Sequence, residues 1–249
     1  MQDHVQSSLY RVVACAVGMA VSFQVLNSVA VPKNIVEPVK RAYWTSSAIA
    51  VFHAMVIFFG AVQALCGEAS IWGNYDVPAP VYGSFIELST GYFLYDFILI
   101  ISGTLGPIDK TMIVHHIMTV TTHYYCVCIC RYSAGISAVA FLAEFSTPFC
   151  TGRWMLKEAG YTGSIYVFNG AMMAISFFFS RICNGTFLLY LIYVAHPAAT
   201  GVSLGEGMGG GMGYLFGPMA IAFFGLNVFW FRLIVKGLLK AVLPSKKKE

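Results

Sequence analysis

The chain is poor in charge. Of its 249 residues, 11 are Asp or Glu and 15 are Lys or Arg, so charged residues make up 10 %. Soluble chains carry about 25 %, and a water-facing surface of this size cannot be covered with so few. Cytosolic enzymes, nucleic-acid binders and secreted disulfide scaffolds drop out on that ground. No C-x-x-C pair occurs among the seven cysteines, so neither a zinc site nor a redox motif is expected. Cys126, Cys128 and Cys130 form a C-x-C-x-C row. On a helix, alternate residues point about 200° apart, so they read as small fillers of a buried helix. The six histidines show none of the H-x-x-x-H or H-x-x-H-H spacings of membrane di-iron enzymes, so no metal is expected. The last apolar run has no lysine midway, around Phe224–Phe229, which a retinal protein requires. The N-terminal stretch lacks the short apolar core and small-residue cleavage site of a signal peptide.

Apolar residues are what the chain has in abundance. They reach 58 %, and the mean hydropathy is +0.72. The runs are continuous, not alternating with the period of two that a membrane barrel requires. About 20 apolar residues cross a bilayer as a helix, because only a helix satisfies its own amides in lipid. Seven runs qualify: Leu9–Val31, Tyr43–Leu65, Ser84–Leu105, Thr111–Cys130, Gly135–Gly152, Ser164–Val194 and Tyr214–Leu239. The expected fold is all-α, a polytopic membrane bundle of about seven transmembrane helices with a central polar cavity. Residues 1–249 form a single membrane domain ending in a basic tail, 240–249.

Loops one, three and five hold Lys33, Lys40, Arg41, Lys110, Arg153 and Lys157, and the C-terminal end adds Lys236, Lys240 and Lys246–Lys248. The opposite side has Arg11 and Arg131. Positive loops face the cytoplasm, which predicts a lumenal N-terminus and a cytoplasmic C-terminus. The final Lys246-Lys247-Lys248-Glu249 resembles the dilysine retrieval signal of endoplasmic-reticulum membrane proteins. The links Gly67–Gly83 and Gly201–Gly213 contain no Lys or Arg, and the second reads as a flexible glycine-rich connection.

An ionisable group at bilayer depth costs several kcal/mol and marks a functional candidate. Asp96 lies roughly 13 Å deep, Glu144 roughly 12 Å and His115 and His116 roughly 6–8 Å, counted at 1.5 Å per residue from the cytoplasmic ends of three consecutive spans. These four form one layer and are the candidate catalytic groups. Thr119 and His123 continue the His116 face, and Thr147 shares a wall with Glu144. Pro148 frees a carbonyl and predicts a kink. Glu87 is expected to reach water, Arg181 to snorkel, and His53 to be a hydrogen-bonded packing residue. A histidine beside a carboxylate suits acyl transfer onto an amine or hydroxyl; the alternative is a structural His–acid network.

Three segments carry a resemblance: Gly91-Tyr92-Phe93-Leu94-Tyr95-Asp96; Met112-Ile113-Val114-His115-His116; and Glu144-Phe145-Ser146-Thr147-Pro148-Phe149 with Arg153-Trp154. Asn169-Gly170, Phe177-Phe178 and Arg181 follow. In this order they resemble the TLC domain family over about 40–240, and are most similar to its small members. Where ceramide synthases of that family continue with His-Asp, this chain has Ala140 and Phe141, with Glu144 at the place of a further Asp. Thr151 stands where the small members more often have Asn. The resemblance implies lipid homeostasis in the endoplasmic reticulum: binding, and transacylation, of a sphingolipid or phospholipid. It adds Arg153, Asn169 and Arg181 to Thr119, His123 and Thr147 as candidate substrate-binding residues. No resident cofactor is expected, with acyl-CoA a candidate substrate. Expected partners are membrane lipid and a membrane-protein partner or second copy, with no nucleic acid. The competing reading is a non-enzymatic lipid sensor or accessory subunit.

Overall fold

The computed structural model describes residues 2–67, 80–129, 134–203, 206 and 214–242. Arg131, Cys130, Lys246–Lys248 and most of the two lysine-free links lie outside them. Every long element is helical: α1 (Gln2–Val29), α2 (Pro38–Gly67), α3 (Pro80–Ile101), α4 (Lys110–Thr119), α5 (Ala134–Phe141), α6 (Thr147–Glu158), α7 (Ser164–Phe177), α8 (Asn184–Tyr190), α9 (His196–Thr200) and α10 (Phe216–Val242). Several join without a break. A wide π-helical stretch, Val120–Ile129, prolongs α4, and others at Phe178–Cys183 and Leu191–Ala195 link α7, α8 and α9. A tight 3-10 turn, Leu142–Ser146, leads from α5 into α6, and Pro148 occupies the first turn of α6. That position suits proline because its missing N–H would have no helical partner there.

Six of these helical stretches are long and apolar enough to cross a membrane. The seventh expected span, Thr111–Cys130, is helical from Lys110 to Ile129 but carries three histidines and four threonines, which lower its hydropathy. It nonetheless runs the length of the bundle. Its first turn is capped by Asp109, whose Oδ1 accepts from the Thr111 N–H at 2.8 Å. Its far end meets the start of α1, where the His4 ring lies 3.2 Å from the Cys128 carbonyl. Protein neighbours receive several of its polar groups, as for His116 with Asp96 and His123 with Ser137.

The central helix is α3, whose apolar window is 56 % buried against 11 % for α1 and 6 % for α10. Helix α1 packs on α3 across Gly91, where a Cβ would stand 2.6 Å from the Cys15 Cβ. Glu87 is not wet as expected: it is buried, and Arg11 grips it with Nε at 2.5 Å and Nη2 at 2.7 Å. The mostly apolar α3 hides from the sequence that this acid points at α1. At the opposite end, Lys40 pairs with Glu158 at 3.1 Å and the Asn34 amide donates to the Glu158 carbonyl at 3.0 Å, tying loop one to the end of α6. Side-chain exposures of 45 % and 19 % make that salt bridge a weak one. Lys40→Ala is therefore expected to cost under about 1 kcal/mol, read by thermal melting of detergent-solubilised protein.

Candidate functional site

Asp96 projects from α3, about a turn and a half before its end at Ile101, and is buried. Its Oδ1 accepts from Ser46 Oγ of α2 at 2.8 Å, and its Oδ2 lies 3.0 Å from His116 Nε2 of α4. The other nitrogen of that ring, Nδ1, is 2.7 Å from the Met112 carbonyl. A carbonyl only accepts, so Nδ1 carries a proton. A bare Nε2 facing a carboxylate would repel it, so a second proton lies between Nε2 and Oδ2. The pair is thus neutral as a unit, whichever atom holds that proton. His116 has both nitrogens engaged.

Its neighbour does not. His115 is buried, and its Nδ1 has no hydrogen-bond partner among the described residues. The ring is edge-on to Phe93 and packed beside Phe223 and Trp230, with centroids at 5.8, 5.1 and 5.6 Å. A buried polar atom left unpaired costs about 1–3 kcal/mol, and each such case calls for an explanation.

Glu144 and Arg181 form the facing wall. The 3-10 turn before α6 presents Glu144 inward, and Thr147 Oγ1 donates to Glu144 Oε2 at 2.8 Å. Arg181 is not at a lipid-facing edge, as snorkelling would require. It is buried, because the π-helical turn Phe178–Cys183 aims it into the bundle. Such bulges are frequent at functional sites. Its Nε donates to Ser146 Oγ at 2.7 Å, Nη2 to Thr147 Oγ1 at 3.0 Å and Nη1 to Asn227 Oδ1 at 3.3 Å, and Nη2 stands 3.8 Å from Glu144 Oε1. Asn227 of α10 was not among the residues singled out in the sequence. A lone asparagine within an apolar span was the signal available.

Two cavities meet at this wall. The larger, about 490 Å³, is lined by Ser46, Asp96, His115, His116, Glu144, Thr147 and Arg181, and extends to Tyr43, Pro107, Asp109 and Trp154 at the end of the bundle. The smaller, about 90 Å³, is mostly apolar, with Ile136, Phe141, Leu188 and Phe223 beside Thr119 and His123. His115, Glu144 and Arg181 border both. Within the smaller one, His123 Nδ1 lies 2.7 Å from Ser137 Oγ and the Thr119 hydroxyl donates to the His115 carbonyl. Two candidate substrate residues border neither cavity. Arg153 lies over the Tyr166 ring at 4.1 Å and donates to the Tyr166 carbonyl at 3.3 Å. The Asn169 amide donates to the Phe149 carbonyl at 2.8 Å. Both fasten α6 to α7. His53, 3.0 Å from Ser89 Oγ and stacked on Tyr92 with ring centres 3.9 Å apart, fastens α2 to α3. Among the described residues no cluster of three His, Cys, Asp or Glu side chains could hold a metal ion.

The TLC domain family profile matches residues 43–236. The chain belongs to the TLC domain family. Similar members include TLC domain-containing protein 4-B of Xenopus laevis, 27 % identical over 217 residues that cover 82 % of this chain and 77 % of that protein. TLC domain-containing protein 4 of Homo sapiens is 26 % identical, covering 84 % and 79 %. TLC domain-containing protein 2 of Danio rerio is 23 % identical over 124 residues, covering 49 % and 50 %. The TLC domain takes in every residue that lines the larger cavity, from Tyr43 to Ile234, whereas α1 lies outside it.

Proposed function

We propose that this TLC domain protein acts in lipid homeostasis in the endoplasmic-reticulum membrane, holding a sphingolipid or phospholipid and exchanging its acyl chain. The head occupies the larger cavity, whose size suits a small-molecule ligand. The smaller, apolar chamber takes the first methylenes of the chain, and the rest leaves between α8 and α10. A reacting carbonyl then lies at the wall where the two cavities meet.

The observation that carries this reading is His115, which borders both cavities and whose buried Nδ1 has no hydrogen-bond partner among the described residues. A neutral imidazole there takes the proton of an attacking hydroxyl or amine as the new acyl bond forms. It returns that proton to the departing alcohol or thiol. Such general base catalysis contributes about 10²–10⁴-fold. His116 is a positioning residue, since both of its nitrogens are occupied. Purified protein given radiolabelled acyl-CoA, or labelled phospholipid, with a long-chain amine acceptor is expected to transfer the chain. His115→Ala should lower the rate by about 10²–10⁴-fold. Equal product from wild type and variant would remove the catalytic reading.

A specific observation favours a non-enzymatic second reading. Where ceramide synthases have a His-Asp pair, Ala140 and Phe141 line the smaller cavity, and the Phe141 ring sits 4.3 Å from His123. Lipid that copurifies with the protein, with no transfer of label, would decide for a lipid sensor or accessory subunit. Loops one, three and five lie at the end of the bundle that the larger cavity approaches, which fits entry from the cytoplasm with the C-terminus on that side. Glycosylation tags at the two chain ends are expected to report opposite sides of the membrane. Two tags on one side would remove this orientation.

A further inference from the structure

Inside the larger cavity, every positive charge is already matched. His116 and Asp96 share their protons as a neutral unit, and Arg181 faces Glu144 while donating to Ser146, Thr147 and Asn227. No lysine lines the cavity among the described residues. A phosphate carrying net negative charge would find no free cation and would lie beside two carboxyl groups. The rim has the opposite character. Asp109 lines it, and its three hydrogen bonds, from Thr111 N, Thr111 Oγ1 and Met112 N, all fall on Oδ1. Asp109 is exposed, so its carboxylate is open to a cation at the mouth of the cavity. Tyr43 and Trp154, nearly perpendicular with ring centres 4.5 Å apart, form a corner of the same cavity, and Trp230 is a third aromatic wall. Aromatic faces with a nearby carboxylate suit an ammonium head. Deeper in, the cavity is bordered by His115, whose Nδ1 has no hydrogen-bond partner among the described residues.

We infer that the ligand of this cavity is an amphiphile whose head bears an ammonium group and no net negative charge, held at the rim by Asp109, Tyr43 and Trp154, with Trp230 lining the cavity deeper in beside His115. This selectivity rests on the lipid-binding reading above. It adds which heads are accepted and which are refused.

The test uses the full chain purified in a neutral maltoside and photolabelled with a diazirine-tailed lysophosphatidylcholine. Unlabelled lysophosphatidylcholine, lysophosphatidylethanolamine and lysophosphatidylglycerol of equal chain length serve as competitors. The two ammonium-bearing lipids are expected to suppress labelling, and the glycerol head to leave it largely intact. Asp109→Asn removes the charge but keeps a good helix cap, so the helix stays anchored, and labelling should weaken by up to about fivefold, as for a solvent-exposed ion pair. Equal competition by the anionic lipid overturns the head-group inference and leaves lipid binding standing. Absence of labelling by the probe overturns both.

Discussion

Arg181→Met is expected to lower the stability of the bundle by about 3–5 kcal/mol, the usual cost of removing one partner from a buried ion pair. The reason is what would remain. Glu144 would stay buried with Thr147 as its remaining hydrogen-bond partner among the described residues, and Ser146 and Asn227 would each lose the donor that Arg181 supplies. A methionine fills much of the volume but satisfies none of these oxygens. The double variant Glu144→Leu with Arg181→Met should recover most of the loss, since a buried pair exchanged for apolar residues of similar size is often neutral. Thermal unfolding in maltoside micelles measures all three forms. An unchanged midpoint in Arg181→Met would mean that water reaches Glu144 and that the wall between the two cavities is open.

Gly91→Leu is expected to expel α1 from its seat. A Cβ at residue 91 would lie 2.6 Å from the Cys15 Cβ, 2.8 Å from the Val12 carbonyl oxygen and 3.0 Å from the Ala16 nitrogen. Two of these atoms are backbone of a straight helix and cannot rotate aside. Overpacking of this kind costs about 1–3 kcal/mol, occasionally more. Separating the helices would also cost the Arg11–Glu87 contact and leave Glu87 buried without its guanidinium. A disulfide or bifunctional crosslink between cysteines introduced in α1 and α3 should form readily in the wild-type background and fail in Gly91→Leu. Gly18→Ala, in α1, is the control. Nothing lies within 4 Å of a Cβ there, so it should be neutral or stabilise α1 by up to about 1 kcal/mol through helix propensity.

The spans were legible because a bilayer imposes a length and forbids charge, and both constraints are written directly in a run of residues. Counting at a fixed rise puts Asp96, His115, His116 and Glu144 in one layer, and the four line one cavity, although α3 ends at Ile101, short of the expected Leu105. The direction each side chain faces was not legible. In a soluble helix the polar face identifies the outside, but α3 is mostly apolar and carries Glu87 and Asp96 on opposite faces, so nothing marks the side toward α1. Glu87 was therefore assigned to water and Arg181 to the headgroup region. For Arg181 a second cause operates: the π-helical turn after Phe177 shifts the angular register, and a count at 3.6 residues per turn passes over it. Arg153 and Asn169 show the converse error. They sit within a family motif, yet their bonds join α6 to α7 and neither borders a cavity. The division of labour between His115 and His116 was equally hidden, because adjacent residues of one type differ only in what lies around them.

The pairing of intramembrane acids with nearby cations bears on how the protein senses voltage. One elementary charge moved across 100 mV of membrane potential is worth about 2.3 kcal/mol. Arg11 with Glu87, His116 with Asp96 and Arg181 with Glu144 each sum to zero, so a field that pushes one member pulls its companion and the net force vanishes. Polarising the bilayer of reconstituted vesicles should consequently exert no net pull on these three pairs.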